Sequence, residues 1–203
     1  MTSNDLVIQT AQPGHLSEVA EIHYRSLPDD FLPSLGLDFL KRVYYPAVFQ
    51  SPHAATLVAM RCGCPVGFVT IAHDANRFYR DILRRRLYLL VVYALRAALC
   101  DFRRLRKTLE VFWSSVASKP DPIKGEIALI AVDQSHRGQG IGKRLVAAAL
   151  DYLHQKGIHS CRTKTLAQNI GVIKMYEGMG WRVRDRFRLI GCEYVTIISP
   201  PTY

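Results

Sequence analysis

Apolar positions recur along this chain with two different periods, and the way the periods alternate predicts an α/β order of elements. Residues 6–11, Leu-Val-Ile-Gln-Thr-Ala, read as a first strand, after which Pro13-Gly14 turns the chain. Leu16, Val19, Ala20, Ile22 and His23 then fall at helical spacing and predict an amphipathic helix that ends at Leu27-Pro28. An apolar stretch beginning at Phe31 predicts a loop leading into a second helix through Val43, Tyr44 and Val48, stopped near Ser51-Pro52. Residues 55–60 and 65–72 predict a hairpin about Arg61-Cys62-Gly63-Cys64. A fourth strand carries Ile127, Leu129, Ile130 and Val132 and breaks at the turn-formers Asp133-Gln134-Ser135. A helix follows through Ile141, Leu145, Val146, Ala149, Leu150 and Leu153, closed by Gly157. Ser160 to Gln168 predict a fifth strand, and 181–190 with 194–199 a last hairpin through Gly191, ended by Pro200-Pro201.

Residues 76–119 interrupt this order. They contain no Gly or Pro, so one or two helices are predicted, with arginine on both sides of the apolar run Leu87–Leu95. Arg96 cuts the run well short of the roughly 20 residues a membrane span needs. Three uses stay open: packing on the domain's own sheet, a subunit interface, or a helix lying on a membrane surface.

Composition narrows the class. A chain of 203 residues, 49% hydrophobic and 22% charged, suits one globular domain over 1–203. Cys62, Cys64, Cys100, Cys161 and Cys192 are odd in number and scattered, without the second close pair a zinc site requires, so no metal is expected. They read as thiols in a reducing compartment, and the N-terminal Met-Thr-Ser-Asn-Asp resembles no secretion signal, so a cytoplasmic location is expected. The net charge of +10 raises nucleic acid as a partner, but no recognition motif accompanies it and none is expected.

The chemistry concentrates after the fourth strand. Gly138, Gly140 and Gly142 alternate between that strand and the helix, an arrangement that lets backbone and orphan helical N–H groups close on a phosphate. A Rossmann fingerprint would place its third glycine where Lys143 stands, and a P-loop would need Ser or Thr at Arg144. Arg137-Gly138-Gln139-Gly140-Ile141-Gly142 does fit Arg-x-x-Gly-x-Gly, and Asn169, Tyr176 seven residues on, and Gly180-Trp181 follow downstream. Together these stretches, over about 126–182, resemble the GNAT superfamily of acyl-CoA-dependent N-acetyltransferases.

The resemblance implies a single domain with a mixed, mostly antiparallel central sheet flanked by helices, here with a helical insertion. It implies acetyl-CoA as acyl donor, its pyrophosphate held by Arg137, Gly138, Gln139, Gly140, Ile141, Gly142 and Lys143. Backbone groups of Ile130, Ala131 and Val132 would hold the pantetheine arm, with Asn169 and Tyr176 beside it. Tyr176 would protonate the leaving thiolate and Glu126 stands at a position used for a general base, with a water chain as the other route. A second base position falls on Lys164, which removes that option. The implied reaction is acetyl transfer to a primary amine, with a small acceptor such as an amino sugar or polyamine expected. A peptide or protein acceptor is the alternative, and a non-catalytic acyl-CoA-binding module the alternative of another class. Phe31 and Leu32 would border the acceptor pocket or belong to the core, the core being favoured. The insertion is expected to wall that pocket and to turn arginines toward an anionic acceptor. Membrane contact through 80–110 and a homodimer stay open.

Overall fold

The computed structural model describes residues 6–28, 30–100, 121–189 and 191–200. The chain runs β1 (Val7–Thr10), α1 (Leu16–Ser26), the short helices α2 (Phe31–Ser34) and α3 (Leu37–Phe39), a π turn (Leu40–Tyr44), α4 (Tyr45–Gln50), β2 (Ala54–Arg61) and β3 (Cys64–Ala72). It continues through α5 (Ala75–Cys100), β4 (Gly125–Val132), α6 (Ile141–Gln155), β5 (Cys161–Leu166), α7 (Ile170–Glu177), β6 (Arg182–Leu189) and β7 (Cys192–Ile198). Among the described residues the strands form one sheet in the order β1-β2-β3-β4-β5-β7-β6. Every pairing is antiparallel except β4 with β5, whose parallel alignment requires the crossover that α6 supplies.

That single parallel pair is short. It runs Gly125↔Cys161, Glu126↔Arg162 and Ile127↔Thr163 and then stops, while β4 continues along β3 to Val132. A bulge in the β3 pairing skips Ala128 just where β4 leaves β5. The two strands therefore splay apart from Ala128 onward.

Side-chain alternation divides the core between the faces of the sheet. On one face Val69, Ile71 and Ile127 pack with Ile141, Leu145, Val146, Ala149 and Leu153 of α6, together with Tyr176 and Trp181. On the other, Val58, Phe68, Ala72 and Ala131 pack with α1, the 31–50 segment and the start of α5. The segment 31–40, expected as a loop, winds into short helical turns instead. Gly36, at φ +100°, separates two of them. Pro46 has no N–H to offer the carbonyl of Arg42, and the chain crosses that point through the wider π turn, with the Tyr45 N–H donating to Leu40.

The insertion begins as one helix. Tyr79, Ile82 and Leu89 of α5 pack against the second core cluster, so this part covers the domain's own sheet, while Tyr88, Val91 and Val92 face solvent. The remainder of the expected 76–119 insertion, residues 101–119, lies outside the described residues. No helix among the described residues is long and apolar enough to cross a membrane.

His23 is buried beside the second cluster, its ring in contact with Tyr44, Tyr45 and Phe68. It is fully buried, with Nδ1 3.0 Å from the Tyr45 hydroxyl, and burial draws its pKa down from 6.5 to about 4. The unfolded imidazole binds a proton near pH 6.5 and the folded one does not until about 4, so stability falls as pH drops through that window and is unaffected above it. Urea unfolding at pH 7.5 and pH 5 is expected to show that loss, and His23→Gln should flatten it. An unchanged pH slope in the variant would assign the acid sensitivity to other groups.

Candidate active site

The glycine loop has the backbone its sequence calls for. Gly138 and Gly140 hold φ +77° and +75°, left-handed values that favour glycine, and a Cβ at either would project into open space. Gly140 is the N-cap of α6 and contributes no side-chain cap, so the first N–H groups of that helix face outward without an intrahelical partner. The first helical bond is made by Arg144, whose N–H donates to Gly140. An anion would find here free donors, the positive end of a helix dipole and exposed Lys143. The pyrophosphate of acyl-CoA fits these groups.

Other members of the motif do different work. Gly142 serves close packing, since a Cβ there would stand 3.1 Å from the sulfur of Met175 on α7. Arg137 is committed to the backbone: Nε donates to the Val132 carbonyl at 3.2 Å and Nη2 to the Ser26 carbonyl at 3.1 Å, clamping the loop to the end of α1. Val132 O also accepts from Ser26 Oγ at 3.3 Å. Arg144 Nη2 donates to the carbonyl of Leu6. Gln139 accepts from Arg61, tying the β2–β3 turn to the loop.

Where β4 and β5 part, a cleft of about 520 Å³ opens. Leu129 and Ile130 line one side, Thr163, Lys164 and Thr165 the other, with Asn169, Val172 and Tyr176 from the α7 end. Ile130, Ala131 and Val132 pair with β3 and not with β5, so beyond Ile127 the β5-facing edge of β4 is free of strand pairing, with the Val132 carbonyl taken by Arg137 and Ser26. Asn169, the N-cap residue of α7, makes no side-chain cap bond, and its amide donates to Thr165 Oγ1 at 3.4 Å. Tyr176 is fully buried against Trp181, ring centres 4.7 Å apart, and its hydroxyl has no hydrogen-bond partner among the described residues. Burial pushes that hydroxyl far above the usual tyrosine range, with nearby Thr163 pulling the other way, so it holds its proton.

Glu126 is 2% exposed and is not among the residues lining the cleft. Both its oxygens are taken: Oε1 accepts from the Tyr79 hydroxyl and Oε2 from Arg162 Nε, each at 2.7 Å. Arg162 also pairs with Asp121, which pairs with Arg184 at 2.6 Å. Those cations hold the Asp121 carboxyl far below the ordinary carboxylate range despite its burial. Sequence reasoning missed Tyr79, Arg162 and Asp121. They come from three separate segments, and no local pattern joins them.

Phe31 and Leu32, for which the sequence favours the core over the pocket, do both: they pack against the second core cluster and line the cleft with Leu27, Pro28 and Asp30. Among the described residues, Tyr79 represents α5 there. Among the described side chains of the insertion, Arg77 pairs with Asp74, Arg80 donates to the Asn76 carbonyl, and these two and Arg84 are exposed rather than turned into the cleft; the side chains of the other expected arginines lie outside those described. Among the described residues no group of three or more His, Cys, Asp or Glu could hold a metal ion.

The chain is similar in sequence and in fold to known acetyltransferases. N-alpha-acetyltransferase 30 of Saccharomyces cerevisiae is 33% identical over 79 residues, 36% of this chain and 45% of that protein. Mycothiol acetyltransferase of Kocuria rhizophila is 30% identical over 87 residues, 40% of this chain and 29% of that protein. The matched stretch thus spans less than half the length of either relative. The ribosomal-protein-S18-alanine N-acetyltransferase of Escherichia coli shares the fold, with a TM-score of 0.61 at 13% identity over 98% of this chain and 96% of that one. A putative acetyltransferase of Salmonella typhimurium, solved with its cofactor acetyl-CoA, does so with a TM-score of 0.60 at 14% identity over 96% and 93%. The sequence profile of the Acetyltransferase (GNAT) family matches residues 16–181, and the chain belongs to that family.

Proposed function

We propose that this protein transfers an acetyl group from acetyl-CoA to a primary amine held in the β4–β5 cleft. The observation that carries the reading is the splay: the cleft opens where β4 leaves β5 at Ala128, and β4 runs on from there to Val132 and the glycine loop, so one extended thioester would lie along β4 from loop to cleft. The stretch of β4 that β5 leaves unpaired, Ile130, Ala131 and Val132, would hold the pantetheine arm, and Tyr176 would supply the thiolate's proton.

The lining supports an acceptor that is amine at one end and apolar beyond it. Leu27, Pro28, Phe31, Leu32, Leu166 and Leu189 contribute the walls, and among the described residues the fully charged ones lining the cleft are one of each sign, Asp30 and Lys164. A polyamine would call for several carboxylates. The resemblance to an N-alpha-acetyltransferase supports, as second reading, a peptide amino terminus, and the apolar walls would suit an apolar first residue.

An acceptor panel tests this. CoA release would be followed with an arylalkylamine, spermidine, glucosamine and a peptide bearing a free apolar amino terminus. The first or the last is expected to exceed spermidine in kcat/KM by about 10-fold or more, the worth of a methylene or two in an apolar pocket. Leu32→Asp should remove that preference. Equal or greater activity on spermidine would contradict the apolar-acceptor reading.

A further inference from the structure

We propose that Tyr79, on the insertion helix α5, takes the proton from the attacking amine while handing its own hydroxyl proton to Glu126. This rests on the acetyl-transfer reading above. Glu126 is buried away from the cleft, with Arg162 on one oxygen and the Tyr79 hydroxyl on the other. Tyr79 is the member of this set that lines the cleft, half-buried, and it is held by its contact with Phe78, ring centres 5.1 Å apart. A phenol that donates to a carboxylate keeps its oxygen lone pairs for another donor, and the donation makes that oxygen a better acceptor. An amine N–H in the cleft meets that oxygen before it can meet Glu126.

The layout separates the two proton transfers. Tyr79 packs with the cluster on the α1 face of the sheet, and Tyr176 with the cluster on the α6 face. Both line the cleft where β4 and β5 part. The amine nitrogen uses its lone pair to form the C–N bond, and the C–S bond breaks with its electron pair going to sulfur. The proton from nitrogen passes to Tyr79 Oη as the Tyr79 proton passes to Glu126 Oε1, so no tyrosinate forms there. Tyr176 gives its proton to the thiolate, and the proton on Glu126 returns to Tyr176 through solvent once the products leave. Arg162 stays beside Glu126 throughout and is itself fixed by Asp121, just beyond the insertion that Tyr79 opens. The insertion is thereby anchored to the site at both flanks, and it contributes a reacting group to it.

The test uses the full chain with acetyl-CoA and whichever panel amine releases CoA fastest. Tyr79→Phe, Glu126→Gln and the double variant are compared in kcat, KM and calorimetric acetyl-CoA affinity. Each single change should lower kcat by about 100-fold with donor affinity kept, and the double should be no worse than the poorer single, because the pair acts as one unit. Should Glu126→Gln not fold, Tyr79→Phe decides alone: lost proton transfer lowers kcat, whereas a merely shaping Tyr79 raises KM and leaves kcat. Wild-type kcat in Tyr79→Phe, or losses that multiply in the double variant, would overturn the relay. A wild-type protein that acetylates none of the amines would overturn the acetyl-transfer reading and the relay with it.

Discussion

Gly140→Val is expected to yield a folded protein that no longer binds acetyl-CoA. Two effects act at this position, and both follow from its backbone. At φ +75° a β-branched residue is strained, which costs about 1–2 kcal/mol. The added side chain would also project into the open space in front of the loop, where the anion must approach the first N–H groups of α6. The first effect lowers the unfolding midpoint modestly, and the second removes binding. Calorimetry should show acetyl-CoA affinity falling by at least about 100-fold, or about 2.7 kcal/mol. Gly142→Val makes the contrast: its Cβ meets Met175, so the expected damage is to the α6–α7 contact and hence to stability. If Gly140→Val binds acetyl-CoA as the wild type does, the loop is not the cofactor's seat.

Tyr176→Phe should separate stability from activity in an unusual direction. The hydroxyl is buried without a hydrogen-bond partner among the described residues, and burying an unsatisfied polar group costs about 1–3 kcal/mol. Deleting it leaves the ring contact with Trp181 intact, so the variant should unfold at the same or a higher temperature. Turnover should fall by about 10- to 1000-fold, the usual range for a lost general acid, with donor affinity preserved. Thermal unfolding and steady-state kinetics on the same preparation read both. A destabilised variant with full turnover would make Tyr176 a packing residue and nothing more.

The fold was legible in the sequence wherever chemistry is local. The glycine loop could be read because αL backbone at Gly138 and Gly140 demands glycine, and the strand-to-helix switch around it changes hydrophobic period. The β2–β3 hairpin and the closing β6–β7 pair were legible for the same reason. The acceptor side was not. Phe31 and Leu32 are apolar and partly buried whether they face a core or a cleft, so composition does not distinguish the two. Glu126 was visible as a carboxylate on the right strand. That Arg162 and Tyr79 enclose it depends on β4 pairing with β5 and on α5 lying across that face. The arginine density of the insertion pointed toward an anionic ligand, yet Arg77 and Arg80 are engaged along the helix itself.

The central claim is amine-dependent acetyl transfer seated on this loop and cleft. Its most direct test is CoA release from acetyl-CoA by the wild-type protein, with and without each amine of the panel, beside Gly140→Val. The account predicts release that requires an amine, that yields the acetylated amine in equal amount, and that disappears in Gly140→Val. Tight acetyl-CoA binding by the wild type with no amine-dependent release would contradict it and leave an acyl-CoA-binding module without catalysis.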